Sequence, residues 1–306
     1  GSTEFQLLCE AVRLLYNGTD YPKLYKDTED KPAENLEFTR VMEAYPILLD
    51  SSRFSLILSG GVKSDKKLQK TLNATFALLL SIEQTRSTDL RVPSPDFEKI
   101  SGTEKRISLR HLFLTDISKD EAGPMPAILI PTTKFLDPVL YCLSSPDLSS
   151  TDCALFDALL IELASRMEAR LAQKYPETKV KAVLPENDVP FARIVVTSVE
   201  HTAEVDAVYA DCVSSIRKDI SAQIEIQTEG VIDLEKVDLL SRLENNWLMA
   251  VISGAASQEG TARLMQRGEV QKNAKLYLNQ YEAISKAKFE DYFLIAESYF
   301  DSAAPL

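Results

Sequence analysis

STDCALFDALLIELASRMEARLAQKYP, residues 150–176, carries the strongest helical signal in the chain. Phe156, Leu160, Leu163, Met167 and Leu171 recur at steps of four, three, four and four, one face of a 3.6-residue helix. Leu155, Leu159 and Ile161 widen that stripe past half the circumference, which predicts burial on two sides. Ser150 and Thr151 are residue types that accept bonds from free amides at a helix start, and Asp152 places negative charge at the positive end of the dipole. Pro176, with no amide to donate, stops the helix.

The chain that follows switches to strands. Val180, Ala182 and Leu184 alternate with Lys179, Lys181 and Val183, then a turn-rich run leads to Phe191–Val196. Two short runs joined in this way predict a β-hairpin over about 178–197. Thr202 to Ile220 is a second helix, with Val205, Tyr209, Cys212, Ile216 and Ile220 on one face, and Ile224 to Ile226 reads as a brief strand. Asp233 caps a third helix to about Ile252, with Trp247 as a core anchor or, alternatively, an interface residue. Ser253–Gly260 is small enough to be a hinge, and Phe289, Phe293 and Phe300 mark an aromatic terminal helix that must dock on its own core or on a neighbour.

Upstream, Phe5 to Tyr16 is a short amphipathic helix stopped by Asn17-Gly18. Asp27, Glu29, Asp30, Glu34 and Glu37 form a solvated acidic stretch, and Leu36 to Leu49 is helical. Arg53 to Leu58 reads as a strand leading to Ser59-Gly60-Gly61-Val62-Lys63-Ser64-Asp65, and a helix runs from Lys66 to Thr85. Ile107 to Leu114 is helix or strand, Ala127 to Pro131 is extended, and Lys134 to Leu143 reads as a short helix. Ser144 to Ser150 links an N-terminal mixed, mostly helical lobe (1–147) to a C-terminal helical lobe with the hairpin (148–306). The fold class is mainly α: a two-lobed helical protein with a minor β-hairpin.

Composition bounds the chemistry. With 306 residues, 45% of them hydrophobic, the chain supports a large core. A net charge of -12 repels polyanions at long range and argues against a dedicated DNA-binding protein. There are two histidines, His111 and His201, and four scattered cysteines, Cys9, Cys142, Cys153 and Cys212, none at a metal-ligand spacing. The cysteines read as reduced core residues of a cytoplasmic protein. Asn17-Gly-Thr19 and Asn73-Ala-Thr75 are chance sequons, and Gly1-Ser2 resembles a tag scar. No apolar run reaches the ~20 residues that cross a bilayer, so no membrane partner is expected.

Neither a nucleophile elbow nor a Walker motif occurs, which argues against catalysis, and no cofactor or metal is expected. The leading expectation is a non-catalytic helical assembly or adaptor protein acting through protein contacts or self-association, with Phe289, Phe293 and Phe300 at the interface. The alternative is a nucleoprotein-like module with single-stranded RNA in a basic cleft. Lys63, Lys66, Lys67 and Lys70 would grip phosphates from one lobe, and Arg263, Arg267, Lys272 and Lys275 from the other, with Tyr277 and Tyr281 stacking on bases. A third reading takes Ser59, Gly60, Gly61 and Ser64 as a phosphate loop of a nucleotide-using enzyme. The loop partly resembles that of the ATP pyrophosphatases, Ser-Gly-Gly-x-Asp-Ser, with the last pair here displaced and reversed as Ser64-Asp65.

Overall fold

A computed structural model describes residues 3–19, 21–22, 39, 56–61, 63, 66–80, 93–97, 139–187, 189–197, 202–229, 234–300 and 304–305. Their elements are α1 (Thr3–Leu15), α2 (Lys66–Leu80), β1 (Val139–Leu143), α3 (Asp152–Ala172), β2 (Lys179–Val183), β3 (Ala192–Thr197), α4 (Thr202–Glu229), α5 (Leu234–Ala255), α6 (Gln258–Val270), α7 (Leu276–Lys286), α8 (Phe289–Tyr299) and β4 (Ala304–Pro305). The protein is mainly helical with one small antiparallel sheet, in the order β2-β3-β1-β4.

The stretch around α3 forms the expected helix. Ser150 Oγ accepts from the Asp152 amide at 3.0 Å, whereas Thr151 already has helical backbone and caps nothing. Phe156, Leu159, Leu160, Leu163 and Met167 have no solvent exposure, because α4, α5, α7, α8 and the sheet surround the helix. Complete burial of each such side chain contributes about 1.5–3 kcal/mol before entropic costs. The wide stripe thus has partners on several sides, as its breadth implies.

The β2–β3 hairpin is present, with Val180 opposite Val196 and Ala182 opposite Ile194. It gains a partner that the sequence reading misassigns: Lys134–Leu143 is not a helix where described, since Val139–Leu143 is strand β1, antiparallel to β3. All five residues of β1 are buried, and alternate ones serve different cores. Val139, Tyr141 and Leu143 join the large core around α3. Leu140 and Cys142 face the other way, into a smaller core where Leu7, Ala11, Val12 and Leu15 of α1 close the sheet. A strand buried on both faces shows no alternation, so five apolar residues do not distinguish strand from helix.

Ile224–Ile226 is not a strand either; α4 runs through it. Leu56–Leu58 has no regular structure in the described part of Arg53–Leu58. Expectations for 36–49 (apart from Thr39), 107–114 and 127–131 fall outside the described residues, as do those for the acidic residues from Asp27 to Glu37. The terminal helix α8 docks on its own core: Phe289 and Phe300 are buried and Phe293 packs beside them. Arg217 Nη2 donates to the Ala296 carbonyl at 2.9 Å and Tyr209 Oη to that of Phe300 at 2.9 Å, so α4 supplies donors to carbonyls at the end of the helix.

Candidate functional site

One flank of α3 carries Ala164, Ser165, Glu168, Ala169 and Ala172, spaced so that small side chains follow one another along the helix. Opposite them stand Asn246, Met249, Ala250 and Ser253 of α5. Val180, Lys181 and Ala182 of β2 complete the lining, and together they enclose an open, mostly apolar groove of about 830 Å³. Small side chains on α3 and α5 leave the space, and the exposed Met249 forms its rim.

The groove runs along the outer edge of β2. Among the described strands β2 pairs only with β3, and the regular register sends the backbone groups of alternate residues toward β3. The Val180 amide donates instead to Glu168 Oε2 at 3.3 Å, which identifies Val180 and Ala182 as the outward-directed pair. Glu168 Oε1 lies 3.5 Å from Lys179 Nζ. The outward groups of Ala182 meet no other described strand. An open strand edge beside an apolar groove can take up one more extended segment, through main-chain bonds and alternate side chains.

A second polar group lies where α6 and α7 cross α3. Arg267 Nη2 donates to Cys153 Sγ at 3.2 Å, and both Asp157 carboxylate oxygens lie 4.0 Å from the same sulfur. Asp157 is 2% exposed, and burial raises its carboxyl to about 7 although the Arg267 charge pulls it down. Burial, and then the neighbouring Asp157, also push the Cys153 thiol up, which favours its protonated form. With Cys153 and Asp157 buried, the cluster ties helices together. A third group crosses the rods: Glu162 accepts from Arg166 Nε at 2.8 Å and from Asn246 Nδ2 at 3.2 Å, and Arg166 reaches Asp219 of α4 at 2.6 Å.

The residues singled out from sequence fall around the start of α2, on α6 and on or just before α7. Lys63, Lys66, Lys67 and Lys70 are exposed at the start of α2. Arg263 pairs with Glu259 at 2.8 Å on its own helix. Arg267 points inward to Cys153, Lys272 occupies a turn with φ 51°, and Lys275 is exposed just before α7. The Tyr277 hydroxyl is buried, and the Tyr281 ring stacks on Trp247 at 6.5 Å. Gly60 has φ 133° and packs against the Gln258 side chain at the start of α6, Ser59 and Gly61 flank it, and Ser64 lies outside the described residues. Sequence reasoning misses Glu168, Val180 and Ala182; the only trace of them is the small-residue stripe on α3.

No family model matches the sequence, and no curated protein matches it. Solved structures do. A protease from Helicobacter pylori aligns at TM-score 0.49 and 13% identity, over 81% of this chain and 52% of that one. A protein assigned as a zinc protease from Bordetella pertussis Tohama I aligns at 0.41 and 16%, over 55% of this chain and 92% of that one. The inactive peptidase domain of a protein assigned as a zinc protease from Bordetella parapertussis aligns at 0.40 and 14%, over 55% and 90%. This chain therefore spans about half of the Helicobacter protein.

The functional expectation is corrected here: the structures that match are described as proteases or peptidase domains, and none as a helical adaptor, an RNA-binding module or a nucleotide-using enzyme. The placement of Arg263, Arg267, Tyr277 and Tyr281 gives the physical reason against an RNA cleft: Arg263 pairs with Glu259, Arg267 turns inward to Cys153, the Tyr277 hydroxyl is buried and the Tyr281 ring lies against Trp247. Zinc does not fit the described residues. No group of three or more His, Cys, Asp or Glu there could hold a metal ion, and the Cys153–Asp157 pair faces the Arg267 cation. His111 and His201 lie outside the described residues. No described helix is long and apolar enough to cross a membrane.

Proposed function

We propose that this chain is a peptidase-fold protein that holds an extended polypeptide segment against the outer edge of β2. The observation that carries this reading is the coincidence of the outward backbone groups of Val180 and Ala182 with a groove of about 830 Å³ lined by small side chains. A strand laid there makes main-chain bonds to Ala182 and drops alternate side chains between α3 and α5. Ala164, Ala169 and Ala250 leave room for large apolar side chains, so the favoured segment alternates such residues with polar ones.

A fluorescein-labelled octapeptide alternating Thr with Leu or Phe tests this. Fluorescence anisotropy should report saturable binding, and hydrogen exchange should slow at the Ala182 amide. Ala182→Pro removes the outward donor but leaves the bonds of Lys181 and Val183 to β3, so it should abolish binding while the fold persists. Equal binding by wild type and A182P, or no slowing at Ala182, refutes the edge as the site.

A further inference from the structure

We infer that Glu168 is a built-in competitor for that strand edge, standing where a carbonyl of the bound polypeptide would sit; this rests on the polypeptide-binding reading above. The Val180 amide points away from β3, so no described strand can satisfy it. A buried edge amide needs an acceptor. Glu168 supplies one from the neighbouring helix, with Oε2 at 3.3 Å. A carboxylate oxygen facing an edge amide makes the same bond as the carbonyl of an added strand, only charge-assisted.

The edge is consequently half filled. Ala182, two residues along, has no such stand-in among the described residues, so an incoming strand pairs there first and gains the second site only by displacing Glu168. Displacement strands no charge: the carboxylate retains Lys179 Nζ, 3.5 Å away, and both side chains reach solvent. Glu168 thereby sets a threshold. A segment that pairs at one position is held weakly, and only one long enough to pair at both Val180 and Ala182 offsets the lost bond. The same carboxylate blunts the edge against β2 of a second copy, since an unpaired edge otherwise recruits other strands.

The test uses the octapeptide with wild type, Glu168→Ala and Glu168→Gln. A charge-assisted bond from a partly exposed carboxylate corresponds to roughly fivefold in affinity. E168A should bind about fivefold more tightly than wild type, and E168Q, which keeps a neutral acceptor of the same size, should fall between. Without peptide, the Val180 amide should exchange faster in E168A. If E168A binds as wild type does or more weakly, while peptide still slows exchange at Ala182, the competitor is refuted and the polypeptide-binding reading stands. Binding by none of the three proteins refutes both.

Discussion

Replacing Asp157 with Asn should make the protein's stability less dependent on pH between 4 and 7. The carboxyl is 2% exposed, the Cys153 thiol lies 4.0 Å from it, and burial raises it from 3.8 to about 7. Through that window the folded protein binds a proton that the unfolded chain releases. Stability from this group is therefore present at low pH and falls as pH rises, until the carboxylate is charged in both states. At 1.36 kcal/mol per pH unit, the separation between 3.8 and about 7 amounts to about 4 kcal/mol. The assay is urea unfolding of wild type and D157N at pH 4, 5, 6, 7 and 8, compared as the difference between the two proteins so that other titrations cancel. D157N should gain on wild type steadily to pH 7 and level off, the change across the series reaching about 4 kcal/mol. A difference that stays flat with pH refutes the reasoning, because it would mean that the Arg267 cation holds Asp157 ionised throughout.

Two further substitutions address the scaffold. Glu162→Gln replaces a carboxylate that accepts from both Arg166 and Asn246 and faces Arg242 at 3.4 Å, so one donor loses its acceptor; unfolding should become about 2 kcal/mol easier by urea titration. Gly260→Ala would put a Cβ 1.8 Å from the Gly254 carbonyl oxygen, a backbone atom that must shift. That change should cost about 2–3 kcal/mol, with the earliest added hydrogen exchange in α6.

The rods were legible because their signals are long and redundant. The α3 stripe repeats over about four turns, and the α4 stripe of Val205, Cys212, Ile216 and Ile220 is buried as its spacing requires. Ile224 and Ile226 misled by composition: two β-branched residues around Glu225 imitate a strand, yet Ile216, Ile220 and Ile224 keep steps of four and prolong the helix. β1 was not legible, since five residues with both faces buried contain no period. Arg267 was read by its charge alone, whereas its position depends on Cys153, 114 residues away. The edge groove left the faintest trace, because Ala164, Ala169 and Ala172 matter for the volume they do not fill.

The donors at the end of α8 have a consequence for synthesis. Arg217 and Tyr209 are made 79 and 91 residues before the carbonyls they satisfy. A nascent chain thus emerges from the ribosome with α4 finished but its clasp still missing. The large core then closes only once α8 has emerged, and until that moment the apolar side of α4 is available to chaperones.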